Sequence, residues 1–167
     1  MNIMITTMKT DDVTKYRGKI VRLSMRLVPE ALKMDAFNGD NDKYARIEEE
    51  TVNDYLNHYD ADYDENGIIL LAIDKDDDEL AGFAIVKQQD DWNTGDNGCI
   101  VRKIVVDSDY EGKGIGTCLL SEAERIAGIH NARFLYIEHF ANNMRASGVY
   151  THYGFKPYVI TLAKKLK

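Results

Sequence analysis

The feature that most constrains this chain is a glycine-rich turn between a strand pattern and a helix pattern. The turn runs from Asp107 to Thr117 and carries glycine at alternate positions 112, 114 and 116. Residues 99–106 are mostly apolar and predict a strand, whereas apolar residues at helical spacing predict a helix over 115–129. The chain therefore passes from a strand into a helix N-terminus through residues without side chains.

Such a turn is suited to binding phosphate. The first N–H groups of a helix have no partner within it, and the helix dipole adds about half a positive charge there. Glycines let a ligand approach the backbone closely. The spacing does not fit the dinucleotide fingerprint, because Thr117 and Cys118 stand where its last glycine should fall. It does not fit a P-loop either, since no Gly-Lys-Ser/Thr follows at the required distance.

Two segments of the sequence resemble the GNAT superfamily of N-acetyltransferases. Gly114-Ile115-Gly116 matches the core of the family's loop Q/R-x-x-G-x-G/A, which follows a strand as it does here. Downstream, residues 143–155 match the family's N-x-x-A-x-x-x-Y-x-x-x-G-F segment in the same order. The resemblance covers the chain from about Gly67 to the C-terminus.

The resemblance implies acetyl-CoA as the co-substrate, with its pyrophosphate on the loop and its pantetheine arm along the preceding strand. Asn143 resembles the family's residue that contacts this arm, although asparagine also favours a helix N-cap. The implied cofactor-binding residues are Ile104, Val105, Val106, Glu111, Gly112, Lys113, Gly114, Ile115, Gly116, Thr117, Asn143 and Tyr150. Glu111 departs from the family pattern, which has Gln or Arg there. We expect its carboxylate to point away from the pyrophosphate and to weaken binding modestly.

Tyr150 and Glu138 are the predicted catalytic residues. Tyr150 matches the family's tyrosine, which implies a donor to the leaving thiolate, either through a hydrogen bond or by outright proton transfer; its alternative role is to pack a helix against the sheet. The general base has less support, because cationic Arg102 and Lys103 occupy the likely positions on the strand. Glu138 on the next strand is the predicted base, with His139 and His152 as alternatives.

The order of predicted elements agrees with the fold that the resemblance implies. The expected fold is α/β, with a mixed, mostly antiparallel sheet of six to seven strands, splayed open at the acetyl-CoA site and flanked by about four helices. The pattern predicts a first strand near 2–8, an imperfect helix that Pro29 breaks or follows with a second helix, and a helix over 44–58. Strands are predicted at 68–74, 80–88, 99–106 and 134–139, helices at 115–129 and 144–153, and closing strands at 155–163.

Composition restricts the function classes. The net charge of −7 argues against a nucleic-acid partner. Cys99 and Cys118 lack metal-binding or disulfide spacing, so no metal is expected and both are predicted to be buried. No signal peptide or membrane span is predicted, which favours the cytoplasm. The whole chain, 1–167, is expected to be a single GNAT domain, and a homodimer is a further expectation because dimers are common in similar proteins.

An acidic segment between residues 35 and 65 would cover the acceptor side. Its acids favour a cationic acceptor, although a solvated helix face has the same composition. They are Asp35, Asp40, Asp42, Glu48, Glu49, Glu50, Asp54, Asp60, Asp62, Asp64 and Glu65. The predicted function is acetyl transfer from acetyl-CoA by direct attack of a primary amine, belonging to a small molecule or a peptide. The alternative is an acyl-CoA-binding module of the same fold without turnover.

Overall fold

The computed structural model describes residues 1–34, 40–59, 67–164 and 166. Most of the predicted loop 35–42 and of the turn 60–67 lies outside these residues, as do Asp35, Asp60, Asp62, Asp64 and Glu65. The elements follow in the order β1 (Ile3–Thr7), α1 (Asp12–Met25), α2 (Val28–Met34), α3 (Asn41–Asn57), β2 (Ile68–Asp74), β3 (Glu79–Gln88), β4 (Gly98–Val106), α4 (Ile115–Ile129), β5 (Phe134–Ile137) and α5 (Met144–Tyr153).

The described strands form one sheet in the order β1-β2-β3-β4-β5. The first three pairings are antiparallel, and only β4 and β5 are parallel. β2 and β3 are buried on both faces, which explains their nearly continuous apolar runs. One core lies between the sheet and α1 and α3, and includes Ile20, Val52 and Phe83. The other lies on the α4 side and includes Leu119 and Leu120.

The sheet opens along the second half of β4. Pairing of β4 with β5 runs from Gly98↔Phe134 to Val101↔Ile137 and stops there. On its other edge β4 pairs with β3, with a register shift that leaves Arg102 as an extra residue between Val101 and Lys103. Such a bulge bends a strand and increases its twist. Residues 102–106 therefore have β3 on one side and, within the described part of the chain, no strand on the other.

The expected α/β sheet is present, but its strand count is lower than predicted. The described residues contain five strands, not six to seven, and 155–163 forms no strand. The Tyr158 ring stacks on Phe134 of β5 and is tilted against Tyr136, with ring centroids 5.8 and 5.9 Å away, yet its backbone stays out of the ladder. Beyond it, Ile160 and Leu162 are 78% and 90% exposed. The apolar pattern of a strand is present there, beside the edge strand β5, but residues 155–163 form no backbone ladder with it.

The helices agree with the expectation, and one cysteine does not. Five α-helices are described where about four were expected, since the second helix offered at Pro29 is present: α1 ends at Met25 and α2 begins at Val28. Proline is favoured in the first turn of a helix, where its missing N–H costs nothing. Cys99 is buried as predicted, but Cys118 is exposed. It lies on the face of α4 opposite to the buried Leu119, Leu120 and Ala123.

Candidate acetyl-CoA site

The glycine-rich turn leads from β4 into α4 through two residues in the left-handed region. Gly112 has φ of 74° and Gly114, the N-cap of α4, has φ of 80°. No atom lies within 4 Å of where a Cβ would be at either position, so the backbone conformation, not crowding, requires glycine there. The space beside the turn is open to a ligand.

Backbone N–H groups line this space. The N–H of Glu111 donates to the carbonyl oxygen of Ser108, and the N–H of Cys118 donates to that of Gly114. Among the described residues, the N–H groups between these two, from Gly112 to Thr117, meet no acceptor. Unpaired N–H groups at a helix N-terminus form an anion site. The chain thus fits a phosphate-bearing cofactor at this turn.

Residues predicted to hold the cofactor come together on one side of the sheet. Ile104, Val106 and Tyr150 all pack against the core cluster of α4, whereas Val105 points into the opposite core. Ile115 is buried in the α4 cluster at the first position of the helix. Side chains of β4, α4 and α5 therefore pack into one cluster, on the side of the sheet where the cofactor cleft is predicted.

Asn143 caps α5. Its side-chain oxygen accepts the N–H of Ala146 at 3.0 Å, which is the N-cap contact that the sequence offered as the alternative to a cofactor contact. The side-chain amide nitrogen is not used by this contact. A hydrogen bond from it to a cofactor amide stays a prediction.

Tyr150 lies in the middle of α5 with its ring between two aromatic neighbours. The ring centroids of His139 and Phe155 are 5.8 and 6.1 Å away. Burial raises the pKa of the Tyr150 phenol above its ordinary value of 10.0. The hydroxyl therefore keeps its proton at neutral pH and can donate it in a hydrogen bond.

Glu138 follows directly after β5, at the point where the sheet opens. Its carboxylate lies 3.7 Å from the guanidinium of Arg102, the bulge residue of β4, and the side chain is 78% exposed. His139 is exposed, with Nδ1 2.8 Å from the carbonyl oxygen of Phe140. His152 is exposed on α5, near its C-terminal end. Glu138 is thus a solvent-accessible carboxylate beside the open edge.

A second carboxylate near this edge belongs to the predicted acidic segment, although the sequence did not indicate its contact with β4. Glu48 of α3 forms an ion pair with Lys103 of β4, and the two side chains are only 21% and 14% exposed. The residues are 55 positions apart, so no local pattern could have joined them. Residues 102–106 of β4 include no acid, and α3 places the carboxylate of Glu48 beside them.

An open cavity of about 500 Å³ lies between α3 and β3. Lys87 reaches over the Tyr55 ring, with its ammonium 5.5 Å from the ring centroid. Of the predicted acidic segment, Glu50 and Asp54 contribute to the wall. The lining residues are Glu50, Thr51, Asp54, Tyr55, His58 and Lys87.

Among the described residues, no group of three or more His, Cys, Asp or Glu side chains could hold a metal ion. Within the same residues, none of the helices combines the length and apolar character needed to cross a bilayer.

Comparison with known proteins agrees with this geometry. The sequence model of the acetyltransferase (GNAT) family matches residues 34–155. No curated protein matches the sequence. Among solved structures, a Pyrococcus furiosus protein assigned to the acetyl transferases has 19% identity and a TM-score of 0.76, with 99% of this chain and 100% of that chain covered.

Two other solved structures have the same fold. A GCN5-related N-acetyltransferase from Ralstonia eutropha has 14% identity and a TM-score of 0.73, covering 99% of each chain. AAC(6')-Iy, solved with the bisubstrate analog CoA-S-monomethyl-acetylneamine, has 18% identity and a TM-score of 0.65, with 99% of this chain and 100% of that chain covered.

Proposed function

This chain belongs to the acetyltransferase (GNAT) family, and from that premise we propose that it transfers an acetyl group from acetyl-CoA to a primary amine, with residues 1–167 acting as one catalytic domain. The observation that carries the proposal is the run of N–H groups from Gly112 to Thr117, which have no acceptor among the described residues and lie beside the open edge of β4. One feature offers a site for phosphates and the other a strand edge for amides. Acetyl-CoA contains both groups in a single molecule.

Different residues of the cleft bind different parts of the cofactor. The N–H groups of the turn and the N-terminus of α4 hold the two phosphates. The backbone of Ile104 and Val106 binds the pantetheine amides in the way that an added strand binds a sheet edge. Asn143 contributes its side-chain amide at the start of α5. When bound, acetyl-CoA supplies an acetyl thioester at the point where β4 and β5 separate.

Tyr150 stabilises the leaving sulfur. A phenol with a pKa of about 10 cannot readily give its proton to a thiolate whose conjugate acid has a pKa of about 8.5. Because burial raises the pKa of Tyr150 further, its role is a hydrogen bond to the developing thiolate and not full transfer of the proton.

The acceptor amine has to lose a proton before it attacks. For a lysine-like amine with a pKa of about 10.4, holding the neutral form at pH 7 costs roughly 4.6 kcal/mol. Glu138 takes this proton through water, since it is exposed beside the open edge. Glu48, already paired with Lys103, is the second carboxylate within the same region.

The acceptor is a primary amine with cationic character. Glu50 and Asp54 line the cavity on the α3 side of the sheet, and the chain as a whole carries a net charge of −7. A negative surface concentrates cations near a cleft. AAC(6')-Iy, a protein of the same fold, was solved with an analog that carries coenzyme A and acetylneamine. An amino sugar or a polyamine is the acceptor class to screen first.

A thermal-shift titration with acetyl-CoA, coenzyme A and ATP tests the cofactor. Ligand at one hundred times its Kd should add about 2.7 kcal/mol, a rise of roughly 5 to 10 °C for a domain of this size. We expect this rise with acetyl-CoA and coenzyme A but not with ATP. A rise with all three would indicate a general phosphate site, and no rise would contradict the proposal.

A thiol-release assay with a panel of amines then separates an enzyme from a binding module. The enzyme releases coenzyme A faster with at least one amine than with buffer alone. Cofactor binding without thiol release across polyamines, amino sugars and lysine peptides would favour the acyl-CoA-binding module, for which Arg102 and Lys103 in the predicted base positions give some support.

A further inference from the structure

Glu111, the residue that departs from the family's loop pattern, has a partner on α5. It follows the short 3-10 turn Ser108–Tyr110 and directly precedes Gly112. Its Oε2 accepts a hydrogen bond from Nη2 of Arg145 at 2.8 Å. Arg145 is the second residue of α5, so this ion pair joins the glycine-rich turn to the N-terminus of a helix 34 residues away in the sequence.

Stability alone does not explain an arginine at this position. The positive end of a helix dipole disfavours a cation in the first turn. The side chain of Arg145 is 74% exposed, and exposed ion pairs contribute only about 0–1 kcal/mol. What the pair does achieve is to hold a guanidinium beside the unpaired N–H groups of the turn.

Lys113, the cationic residue within the turn, contacts the 3-10 turn Ser108–Tyr110. The Lys113 ammonium donates to the carbonyl oxygen of Asp109 at 2.8 Å and lies 5.0 Å from the centroid of the Tyr110 ring. It is thereby held on the 3-10 turn. Arg145, in contrast, reaches the turn from α5 through its ion pair with Glu111.

We propose that Arg145 is the side-chain cation of the cofactor's pyrophosphate site, and that Glu111 holds it in place before the phosphates bind. This inference rests on the proposed function. A guanidinium presents a planar fork of donors that fits phosphate oxygens in two-point contacts. Arg145 thus supplies from α5 the positive charge that an arginine in the turn would supply, and Glu111 competes with the phosphates for it.

The two residues therefore have opposite effects on affinity. Arg145→Gln removes the cation and leaves the Glu111 carboxylate unpaired beside the phosphates, so the affinity for coenzyme A should fall about tenfold or more. Glu111→Gln releases the guanidinium to the phosphates, and the affinity should rise by about threefold. Arg145→Lys keeps the charge without the fork, and should recover only part of the loss.

Calorimetric titration of the full chain at low salt, with three ligands, is the test. Coenzyme A and 3'-dephospho-coenzyme A both carry the pyrophosphate, whereas pantetheine carries no phosphate. We expect Arg145→Gln to weaken the first two equally and to leave pantetheine unaffected. The matched control is Arg125→Gln, which removes an exposed arginine paired with Glu122 within α4, away from the turn.

Each other outcome counts against the assignment. An unchanged affinity of Arg145→Gln for both phosphate ligands would overturn it. An equal loss for pantetheine would show that the substitution only disturbs α5, and a loss confined to coenzyme A would move Arg145 to the 3'-phosphate. If the unsubstituted chain bound none of the three ligands, the proposed function itself would fail together with this inference.

Discussion

At the scale of single residues, the hydroxyl of Tyr150 separates catalysis from binding. Its ring packs between His139 and Phe155, and a phenylalanine would keep these contacts. Tyr150→Phe should therefore leave the affinity for acetyl-CoA nearly unchanged and lower turnover by about tenfold or more, because the leaving thiolate loses its donor. Steady-state thiol release and a binding titration measure the two effects separately.

Tyr153 provides a matched control one turn along α5. Its hydroxyl donates to Glu124 at 2.8 Å and lies 3.2 Å from the Ser121 hydroxyl, both on α4. Tyr153→Phe removes the same atom from the same helix and should leave turnover within about twofold of the original. Equal turnover of Tyr150→Phe and the unsubstituted chain would remove Tyr150 from the mechanism.

At the scale of elements, the pairing of β3 with β4 fixes the strand that feeds the cofactor turn. Gly82 lies opposite Val106 at the end of β4. A Cβ at Gly82 would lie 2.6 Å from the carbonyl oxygen of Val105 and 3.2 Å from the Cα of Val106. Backbone cannot move aside as a side chain can, so Gly82→Ala should lower the free energy of unfolding by about 1–3 kcal/mol.

Urea unfolding measures this loss, and Gly18 is its control. Gly18 lies exposed in α1, and no atom is within 4 Å of where its Cβ would be. Gly18→Ala should raise the free energy of unfolding by about 0.5–1 kcal/mol, because alanine loses less backbone entropy in a helix. Equal stability of the Gly82→Ala and Gly18→Ala variants would show that β3 tolerates a wider spacing from β4.

The elements that the sequence predicted well are those determined by short-range patterns. Gly112 and Gly114 have positive φ values, which the local turn alone requires. The apolar residues of α4 repeat at helical spacing because one face of the helix is buried. Segment 155–163 has the same kind of local pattern but forms no strand, because a strand also requires a backbone ladder with a neighbour, and Tyr158 reaches the edge strand β5 through ring contacts instead.

Contacts between distant segments could not be predicted from such patterns. Lys103 occupied a position where a base was expected, and nothing near it in the sequence indicated that Glu48 lies beside it. Glu111 was expected to point away from the phosphates, and the guanidinium that it holds comes from Arg145 on another helix. Both pairs depend on how α3 and α5 dock on the sheet, which periodicity alone does not determine.

At the scale of the whole molecule, carboxylates that accept hydrogen bonds connect elements across the sheet. Asp74 at the end of β2 accepts the N–H of Asn2 at 3.1 Å, and this bond lowers its pKa. Asp91, buried in the turn between β3 and β4, accepts a hydrogen bond from the Tyr136 hydroxyl of β5, which lowers its pKa from 3.8 to about 2. Within the single helix α4, the hydrogen-bonded ion pair with Arg125 likewise lowers the pKa of Glu122.

These shifts predict loss of stability in acid. A carboxylate with a lowered pKa in the folded state contributes its full stabilisation above the pKa of the unfolded chain, and loses it as the pH falls toward the folded value. The free energy of unfolding should therefore be nearly constant from about pH 7 to 5, and should fall from about pH 4.5 toward pH 2, where protonated acids also leave a strongly cationic chain.

Urea titrations at about pH 7, 5 and 3 measure this profile, and Asp91→Asn assigns a share of it to one group. The variant keeps an acceptor for the Tyr136 hydroxyl but has no charge to neutralise, so it should be less stable than the original at pH 7 and lose less stability between pH 5 and 3. The backbone N–H groups of Asn93 and Thr94, which donate to Asp91 at 2.9 and 2.8 Å, strengthen the same dependence. An unchanged acid slope in the variant would mean that Asp91 does not link the β3–β4 turn to β5 through its charge, and that the acid sensitivity comes from the other carboxylates.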